Sequence, residues 1–208
     1  MILIGQYDSP FVRRVGIALT LYGLPFEHRP WSAFGDADSL RAYNPLTRVP
    51  ALVLDDGDVL IDSHVILDYL DSLVKPERAM FPRSEPARHR ALKVSALAAG
   101  LADKAGSLFY EKRLHTDASD IWVERCSAQI GGVLTVLEAD RAGRTTAYWF
   151  GDHIGHADIA VACVLRFLGD AHPGLIPLGG FPALQAHAAK LEALPVFQEI
   201  SQVFIAPT

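Results

Sequence analysis

Apolar and polar positions along the first part of the chain switch between strand-like and helix-like spacing. Residues 2–6 and 26–29 are of strand length, and between them apolar residues recur at helical intervals over residues 10–22. Gly23 follows at the position where helices commonly end. A strand, a helix and a strand within roughly thirty residues predict a βαβ unit with parallel strands and a right-handed crossover.

Two more strands are predicted after an irregular segment and a short helical turn. Residues 51–54 and 59–61 are apolar, and the acidic, glycine-containing loop between them favours an antiparallel hairpin. Apolar positions at helical spacing then run from Val65 to Leu73, and Ser63 is expected to be the N-cap of this helix. The first part of the chain therefore predicts a mixed four-stranded sheet with helices packed on it.

After Leu73 the pattern changes to helices joined by short connections. Residues 74–86 contain three prolines and mixed charges, which suit a connecting segment. Beyond them we predict helices, over residues 87–114, 122–137, 157–167, 183–194 and 196–204. The expected fold class is α/β plus all-α, with an α/β domain over residues 1–78, a linker over 79–86 and an all-helical domain over 87–208.

Composition and charge narrow the functional classes. Half of the 208 residues are apolar, and the formal net charge is −5 with dispersed Lys and Arg, which gives no footprint for DNA or RNA. We find no export leader and no apolar run of eighteen residues, so we expect a cytoplasmic protein without a membrane partner. Cys126 and Cys163 lie far apart, and we interpret them as buried packing residues.

The loop before the predicted hairpin is a candidate ligand-binding edge. Pro50 has no backbone N–H and belongs at the start of a strand, and we predict a cis bond between Val49 and Pro50. Such a bond turns the peptide groups of Val49 outward, where an extended ligand can pair with them as an added strand does. The helix that begins near Ser63 offers free N–H groups and the positive end of its dipole to a carboxylate.

A second candidate lies at the turn after the first strand, where Ser9 is expected to cap the first helix. Its hydroxyl can accept a hydrogen bond from the helix and still donate its own proton into the neighbouring cleft. If Ser9 is a cap and nothing more, its replacement by alanine costs about 1 kcal/mol of stability and leaves activity unchanged. Of the two arginines that follow, Arg13 and Arg14, one is expected to be a surface charge and the other a partner for a carboxylate.

Four segments of the chain form a pattern in combination: SPFVRRV at residues 9–15, NPLTRVPAL at 44–52, DS at 62–63 and WFGDHIGHADIAVA at 149–162. In this order they resemble the bacterial, serine-type members of the cytosolic glutathione S-transferase superfamily. The resemblance covers essentially the whole chain. It implies a thioredoxin-like N-terminal domain, an all-helical C-terminal domain, a homodimer and the binding of reduced glutathione as a substrate.

By this resemblance, Ser9 is the hydroxyl that stabilises the glutathione thiolate, and Val49, ahead of cis Pro50, pairs with the cysteinyl part of glutathione. Asp62 and Ser63 hold the γ-glutamyl group, whose ammonium and carboxylate suit an acidic side chain beside a helix N-terminus. The implied activity is conjugation of glutathione to a small hydrophobic electrophile, as in detoxification.

Further residues are expected around this site. Arg48 adjoins the proposed glutathione loop and is expected to meet the glycyl carboxylate of glutathione. The electrophile pocket is expected between the irregular segment and the first long helix of the second domain, with the aromatic candidates Phe11, Phe34, Phe109 and Tyr110. Aromatic residues at helical spacing are alternatively core residues.

The catalytic hydroxyl and the reaction both have alternatives. Tyr7 competes with Ser9, because other members of the superfamily use a tyrosine near the end of the first strand; Ser9 is favoured because it occupies the N-cap that faces the cleft. The fold also serves proteins that bind ligands or regulate partners without turnover. A glutathione-dependent isomerase is a third interpretation.

The second-domain motif departs from the family pattern at one position. A capping Ser or Thr is expected where the chain has Gly155, and we interpret Asp158, three residues later, as structural. His153 and His156 lie among acidic residues and so offer metal ligands. Because they belong to a helix-entry motif, we expect no metal there.

Overall fold

The first domain of the computed structural model, which describes residues 1–174 and 178–206, is built on a mixed sheet of four strands. Its elements are β1 (Ile2–Ile4), α1 (Pro10–Tyr22), β2 (Glu27–Arg29), α2 (Ala37–Arg41), β3 (Ala51–Val53), β4 (Val59–Ile61) and α3 (Ser63–Ser72). The strand order is β2-β1-β3-β4, with β1 parallel to β2 and antiparallel to β3, and β3 antiparallel to β4. The predicted βαβ unit, hairpin and thioredoxin-like domain are confirmed.

The second domain is helical, as predicted. Its helices are α4 (Ala87–Leu114), α5 (Asp120–Ala142), α6 (His156–Ala171), α7 (Pro182–Glu192) and α8 (Pro195–Glu199). Residues 175–177 and 207–208, which belong to the predicted helical domain, lie outside the described residues. In the part of the chain that is described, we find no helix both long enough and apolar enough to cross a membrane.

The two domains share a hydrophobic core. On one face of the sheet, α1 and α3 pack over Leu3 and Leu52, and this core continues through Phe81 to Ile159 and Cys163 of α6. A second core lies between α4, α5 and α6 and includes Cys126. Both cysteines are buried and free, which confirms their interpretation as packing residues.

The last predicted helix is wrong beyond Glu199. Residues 200–206 form neither helix nor strand. The buried guanidinium of Arg13 explains this, because it donates to the carbonyl oxygen of Phe197 at 2.7 Å and to that of Ile200 at 2.8 Å. These carbonyls therefore do not accept helical hydrogen bonds. Residues 200–206, which follow α8, form an irregular segment that we call the C-terminal segment.

Candidate active site

The loop before β3 presents a backbone edge without partners. The bond between Val49 and Pro50 is cis, as predicted. The Asn44 side chain donates to the carbonyl oxygen of Arg48 at 2.7 Å and fixes the loop. Among residues 1–174 and 178–206, neither the N–H nor the C=O of Val49 has a hydrogen-bond partner. Unpaired backbone groups beside a sheet are those with which an extended peptide pairs.

Ser9 caps α1, as predicted. Its backbone is extended, with φ −71° and ψ 121°, and its hydroxyl oxygen accepts the N–H of Val12 at a long 3.5 Å. The Ser9 carbonyl accepts the N–H of Arg13 at 2.9 Å and starts the helical ladder. The hydroxyl therefore remains available as a donor to a ligand.

The expectation that Ser63 is the N-cap of α3 is wrong, since Asp62 caps this helix. Asp62 has a positive φ of 67°, and its Oδ1 accepts the N–H of His64 at 2.7 Å. Its ψ of 125° lies outside the left-handed helical region, so the turn out of β4 is strained here, and this turn places the carboxylate over the helix end. Ser63 becomes the first residue of α3.

The start of α3 offers donors at a buried position. Ser63 is 2% exposed, and neither its N–H nor its hydroxyl has a hydrogen-bond partner in the described ranges 1–174 and 178–206. The N-terminal N–H groups carry the positive end of the helix dipole. A carboxylate beside Ser63 therefore meets free donors, and a neighbouring ammonium meets the Asp62 carboxylate.

These three turns open into two cavities that share part of their lining. We call the smaller one, of about 330 Å³, the loop pocket; its lining includes Val49, Pro50, Asp62, Ser63 and His64. We call the larger one, of about 880 Å³, the aromatic cavity; its lining includes Ser9, Val49, Phe11, Phe34 and Tyr110. The residues common to both are Phe11, Arg48, Val49 and Asp103. The predicted site residues thus lie around one joined space.

More residues line the aromatic cavity than the sequence predicts. Phe11, Phe34, Phe109 and Tyr110 all line it, and the Phe34 ring lies 5.2 Å from that of Tyr110. Trp31, in the irregular segment expected here, also lines it, and sequence analysis missed Phe167 and the C-terminal residues Phe204, Ile205 and Ala206. The Phe204 ring lies 5.2 Å from that of Phe109, so the C-terminal segment closes one side.

Arg48 lies between the two cavities and has a protein partner. Its guanidinium donates to Asp103 of α4 at 2.8 Å, and both side chains are more than half exposed. No signal in the sequence links these residues, which are 55 positions apart. The pair contributes little to stability at such exposure, so Arg48 remains free to exchange partners.

Tyr7, the competing hydroxyl, is not among the residues that line either cavity. Its ring stacks on that of His28 with 3.9 Å between centroids and packs against Gly16 of α1. Burial, assisted by the charge of Glu199, raises the pKa of Tyr7 to about 12. Tyr7 is thus a half-buried phenol that packs against the core.

The two arginines of α1 are both buried, which corrects the expected surface charge. Arg13 forms an ion pair with Glu192 at 2.6 Å, as one of the two was expected to do. Arg14 is 2% exposed, and its Nε and one terminal nitrogen lack hydrogen-bond partners among the described residues. Burial lowers the pKa of Arg14 to about 10, so Arg14 remains a cation at neutral pH.

The second-domain motif builds the entry of α6. Asp158 accepts the N–H of Gly155 at 2.9 Å and the N–H of Trp149 at 2.7 Å. A Cβ on Gly155 would lie 3.0 Å from the carbonyl oxygen of Met80, which explains glycine where Ser or Thr is expected. Within residues 1–174 and 178–206, no group of three or more metal-ligating side chains is found.

Comparison with known proteins agrees with this architecture. Residues 3–78 match the model of the glutathione S-transferase N-terminal domain, and residues 120–190 match that of the C-terminal domain. The chain therefore belongs to the glutathione S-transferase family.

Individual relatives extend this comparison over most of the chain. The uncharacterized GST-like protein YibF of Escherichia coli K12 is 34% identical over 170 residues, which are 81% of this chain and 82% of the relative. Glutathione S-transferase Z1 of Arabidopsis thaliana is 30% identical over 206 residues, 94% of this chain and 89% of the relative. A glutathione S-transferase from Methylobacterium radiotolerans, crystallised with glutathione sulfonate, is 27% identical with a TM-score of 0.89, covering 100% of this chain and 98% of its own.

Proposed function

We propose that this protein conjugates reduced glutathione to a small electrophile, and that the Ser9 hydroxyl stabilises the glutathione thiolate. One observation carries the proposal. Ser9 is a helix cap whose hydroxyl proton is free, and it lines the aromatic cavity together with Val49. We further propose a homodimer that acts in cytoplasmic detoxification.

The free polar groups match the parts of glutathione one by one. The backbone of Val49 pairs with the cysteinyl residue, whose sulfur then lies toward Ser9. The γ-glutamyl carboxylate binds Ser63 at the positive end of α3, and the ammonium binds Asp62. Arg48 exchanges Asp103 for the glycyl carboxylate.

One hydrogen bond has a useful effect on the thiol. A hydrogen bond to a charged group contributes about 1.5 to 3 kcal/mol, which lowers a thiol pKa near 8.5 by roughly one to two units. At neutral pH the thiolate fraction then rises from about 3% to between about 25% and 75%. Positioning of the electrophile in the aromatic cavity supplies the rest of the rate enhancement.

The experiment compares Ser9→Ala with Ser119→Ala. Ser119 is an exposed N-cap of α5 that accepts the N–H of Trp122, so its replacement reproduces the loss of a cap outside the site. We expect Ser9→Ala to lower kcat/KM for 1-chloro-2,4-dinitrobenzene by about 8- to 25-fold at pH 7, in proportion to the loss of thiolate. Glutathione affinity, measured by calorimetry, should change by less than about threefold. Equal turnover in both variants would remove Ser9 from the mechanism.

The same measurements separate the other functions. Glutathione binding without conjugation, peroxidase or isomerase activity would indicate a binding or regulatory protein. Isomerisation of an unsaturated substrate with full recovery of glutathione would indicate an isomerase.

A further inference from the structure

An acidic side chain lies in the aromatic cavity next to the proposed thiol site. Asp8 directly precedes Ser9, lines the cavity and accepts the N–H of Ile205 at 3.0 Å through Oδ2. Among the ion pairs of residues 1–174 and 178–206, none involves Asp8. Burial raises the pKa of Asp8 above its usual value, although backbone N–H groups oppose this effect. Within the described residues, the Asp8 carboxylate thus has backbone N–H groups around it and no ionic partner.

The other charges of the cavity cancel. The charged side chains in its described lining are Asp8, Arg48 and Asp103, and the last two form an ion pair. The remaining lining is largely aromatic and small polar residues. Burial raises the pKa of Tyr110 in the cavity wall; the charge of Asp8 adds to this effect and the charge of Arg48 opposes it. The cavity therefore has a net negative charge.

Bound glutathione makes this imbalance larger. Its thiolate adds a negative charge near Ser9, and its glycyl carboxylate takes Arg48 from Asp103, which leaves the Asp103 carboxylate without that partner. An electrophile with its own carboxylate would lose hydration in a space with no free cation in the described lining. A cationic substituent would instead meet Asp8 and the faces of aromatic rings.

We propose that Asp8 makes the aromatic cavity selective for neutral or cationic aromatic electrophiles and against those that carry a carboxylate. This inference rests on the proposed conjugation. In that reaction the sulfur forms a C–S bond at the carbon that bears chlorine, chloride leaves with the electron pair of the C–Cl bond, and the thiol proton passes to the buffer. Asp8 acts on which substrate is bound and takes no part in the bond changes.

The test uses one reactive ring with three charges. The substrates are 4-chloro-3,5-dinitrobenzoate, the neutral 4-chloro-3,5-dinitrobenzamide and its cationic N-(2-trimethylammonioethyl) amide, each normalised to its uncatalysed rate with glutathione. We expect the benzoate to have a kcat/KM about tenfold below that of the neutral amide, and the cationic amide to match or exceed the neutral one.

Two variants assign the preference to Asp8. Asp8→Asn keeps an oxygen that can accept the Ile205 N–H, and it should raise benzoate turnover about tenfold while lowering that of the cationic amide. Asp38→Asn removes the same charge from an almost fully exposed position on α2 and should leave all three ratios unchanged. Equal normalised turnover of the three substrates by the wild type would overturn the inference, as would equal effects of the two variants.

A binding measurement separates this inference from the proposed function. Calorimetry with the three S-aryl glutathione conjugates reports the charge preference even if no substrate is turned over. Absent turnover with charge-dependent binding would contradict the conjugation and support the role of Asp8. Normal turnover of the neutral amide with charge-independent binding would support the conjugation and contradict the role of Asp8.

Discussion

Asp71 of α3 accepts a hydrogen bond from Nε2 of His156, in the first turn of α6, with 2.9 Å between the two atoms. The hydroxyl of Tyr22 donates to the same carboxylate, and so does the backbone N–H of Phe81 at 3.0 Å. Asp71 and His156 are each 1% exposed. One buried carboxylate therefore ties α1, α3, the linker and α6 together and fixes the two domains around the aromatic cavity.

Replacement of Asp71 by asparagine should destabilise the protein. The variant loses the charge that these donors face and places an amide N–H₂ among them, which we expect to cost about 3 kcal/mol in the free energy of unfolding by urea. Asp68→Asn is the matched control, because Asp68 lies on the same helix, is largely exposed and pairs with Arg88 at the surface. Equal effects of the two substitutions would show that the buried network contributes nothing.

The same network predicts a loss of stability in mild acid. Burial lowers the pKa of His156, while its contact with Asp71 acts in the opposite direction. The unfolded chain therefore takes up a proton near pH 6.5 that the folded chain takes up only at lower pH, and stability falls as the pH drops below about 6.5. The pKa of Asp71 is lowered by its hydrogen bond with His156, against the effect of burial, which adds a further loss below about pH 4.

Urea unfolding at a series of pH values between 8 and 5 measures this effect. His64 and His172 also have pKa values lowered by burial and contribute with the same sign. Wild-type stability should therefore fall across this range, and His156→Gln should show a shallower fall. An identical pH slope in the wild type and the variant would contradict the assignment to His156.

A serine at Gly155 should destabilise the protein, although serine is the better helix cap in general. The added Cβ would lie 3.0 Å from the backbone oxygen of Met80, which is closer than ordinary contact. We expect a cost of about 1 to 2 kcal/mol in urea unfolding. Gly143→Ala is the control, since its Cβ would meet Ala139 at an ordinary 3.5 Å, and it should be neutral or slightly stabilising. Stabilisation by Gly155→Ser would show that the linker backbone at Met80 moves away from the added Cβ without cost.

Local patterns were sufficient for much of the fold. Helical spacing predicts α1 and α4 with both ends correct. Gly23 ends α1 in the left-handed conformation, and α4 has buried residues at helical spacing from Ala91 to Leu108. The cap at Ser9 and the hairpin loop also depend on residues close in sequence. The exchange of roles between Asp62 and Ser63 was missed, because both residues are good caps and the backbone angle decides between them.

The remainder depends on contacts between distant parts of the chain. Arg13 binds the Ile200 carbonyl 187 positions away, and this contact ends α8 and sends the C-terminal segment over the aromatic cavity. Periodicity alone continues that helix to Phe204. For the same reason, the site residues of the sheet-containing domain were predicted, whereas the cavity walls at Phe167 and Phe204 were not.

Asp62→Asn should separate binding from folding at the start of α3. An asparagine oxygen can still accept the N–H of His64, and asparagine has the same size and branching as aspartate, so the free energy of unfolding should change by less than about 0.5 kcal/mol. Loss of the charge should weaken glutathione binding about tenfold in calorimetry, because the γ-glutamyl ammonium loses its ionic partner. A glutathione analogue without that amino group should bind both proteins equally. Unchanged glutathione affinity would exclude Asp62 as the ammonium partner.

Arg13→Met should have two effects: a more mobile C-terminal segment and a lower free energy of unfolding. Methionine retains the apolar stem but leaves Glu192 and the carbonyls of Phe197 and Ile200 without their buried donor, which we expect to cost about 3 kcal/mol in urea unfolding. Hydrogen exchange of the Ile205 amide, which Asp8 accepts, should become faster at pH 7. Arg166→Met is the control, because Arg166 is partly exposed and lies 3.7 Å from the same glutamate, so a change below about 1 kcal/mol is expected. Unaltered exchange at Ile205 in an Arg13→Met protein that remains folded would show that the aromatic contacts of Phe204 hold the C-terminal segment without Arg13.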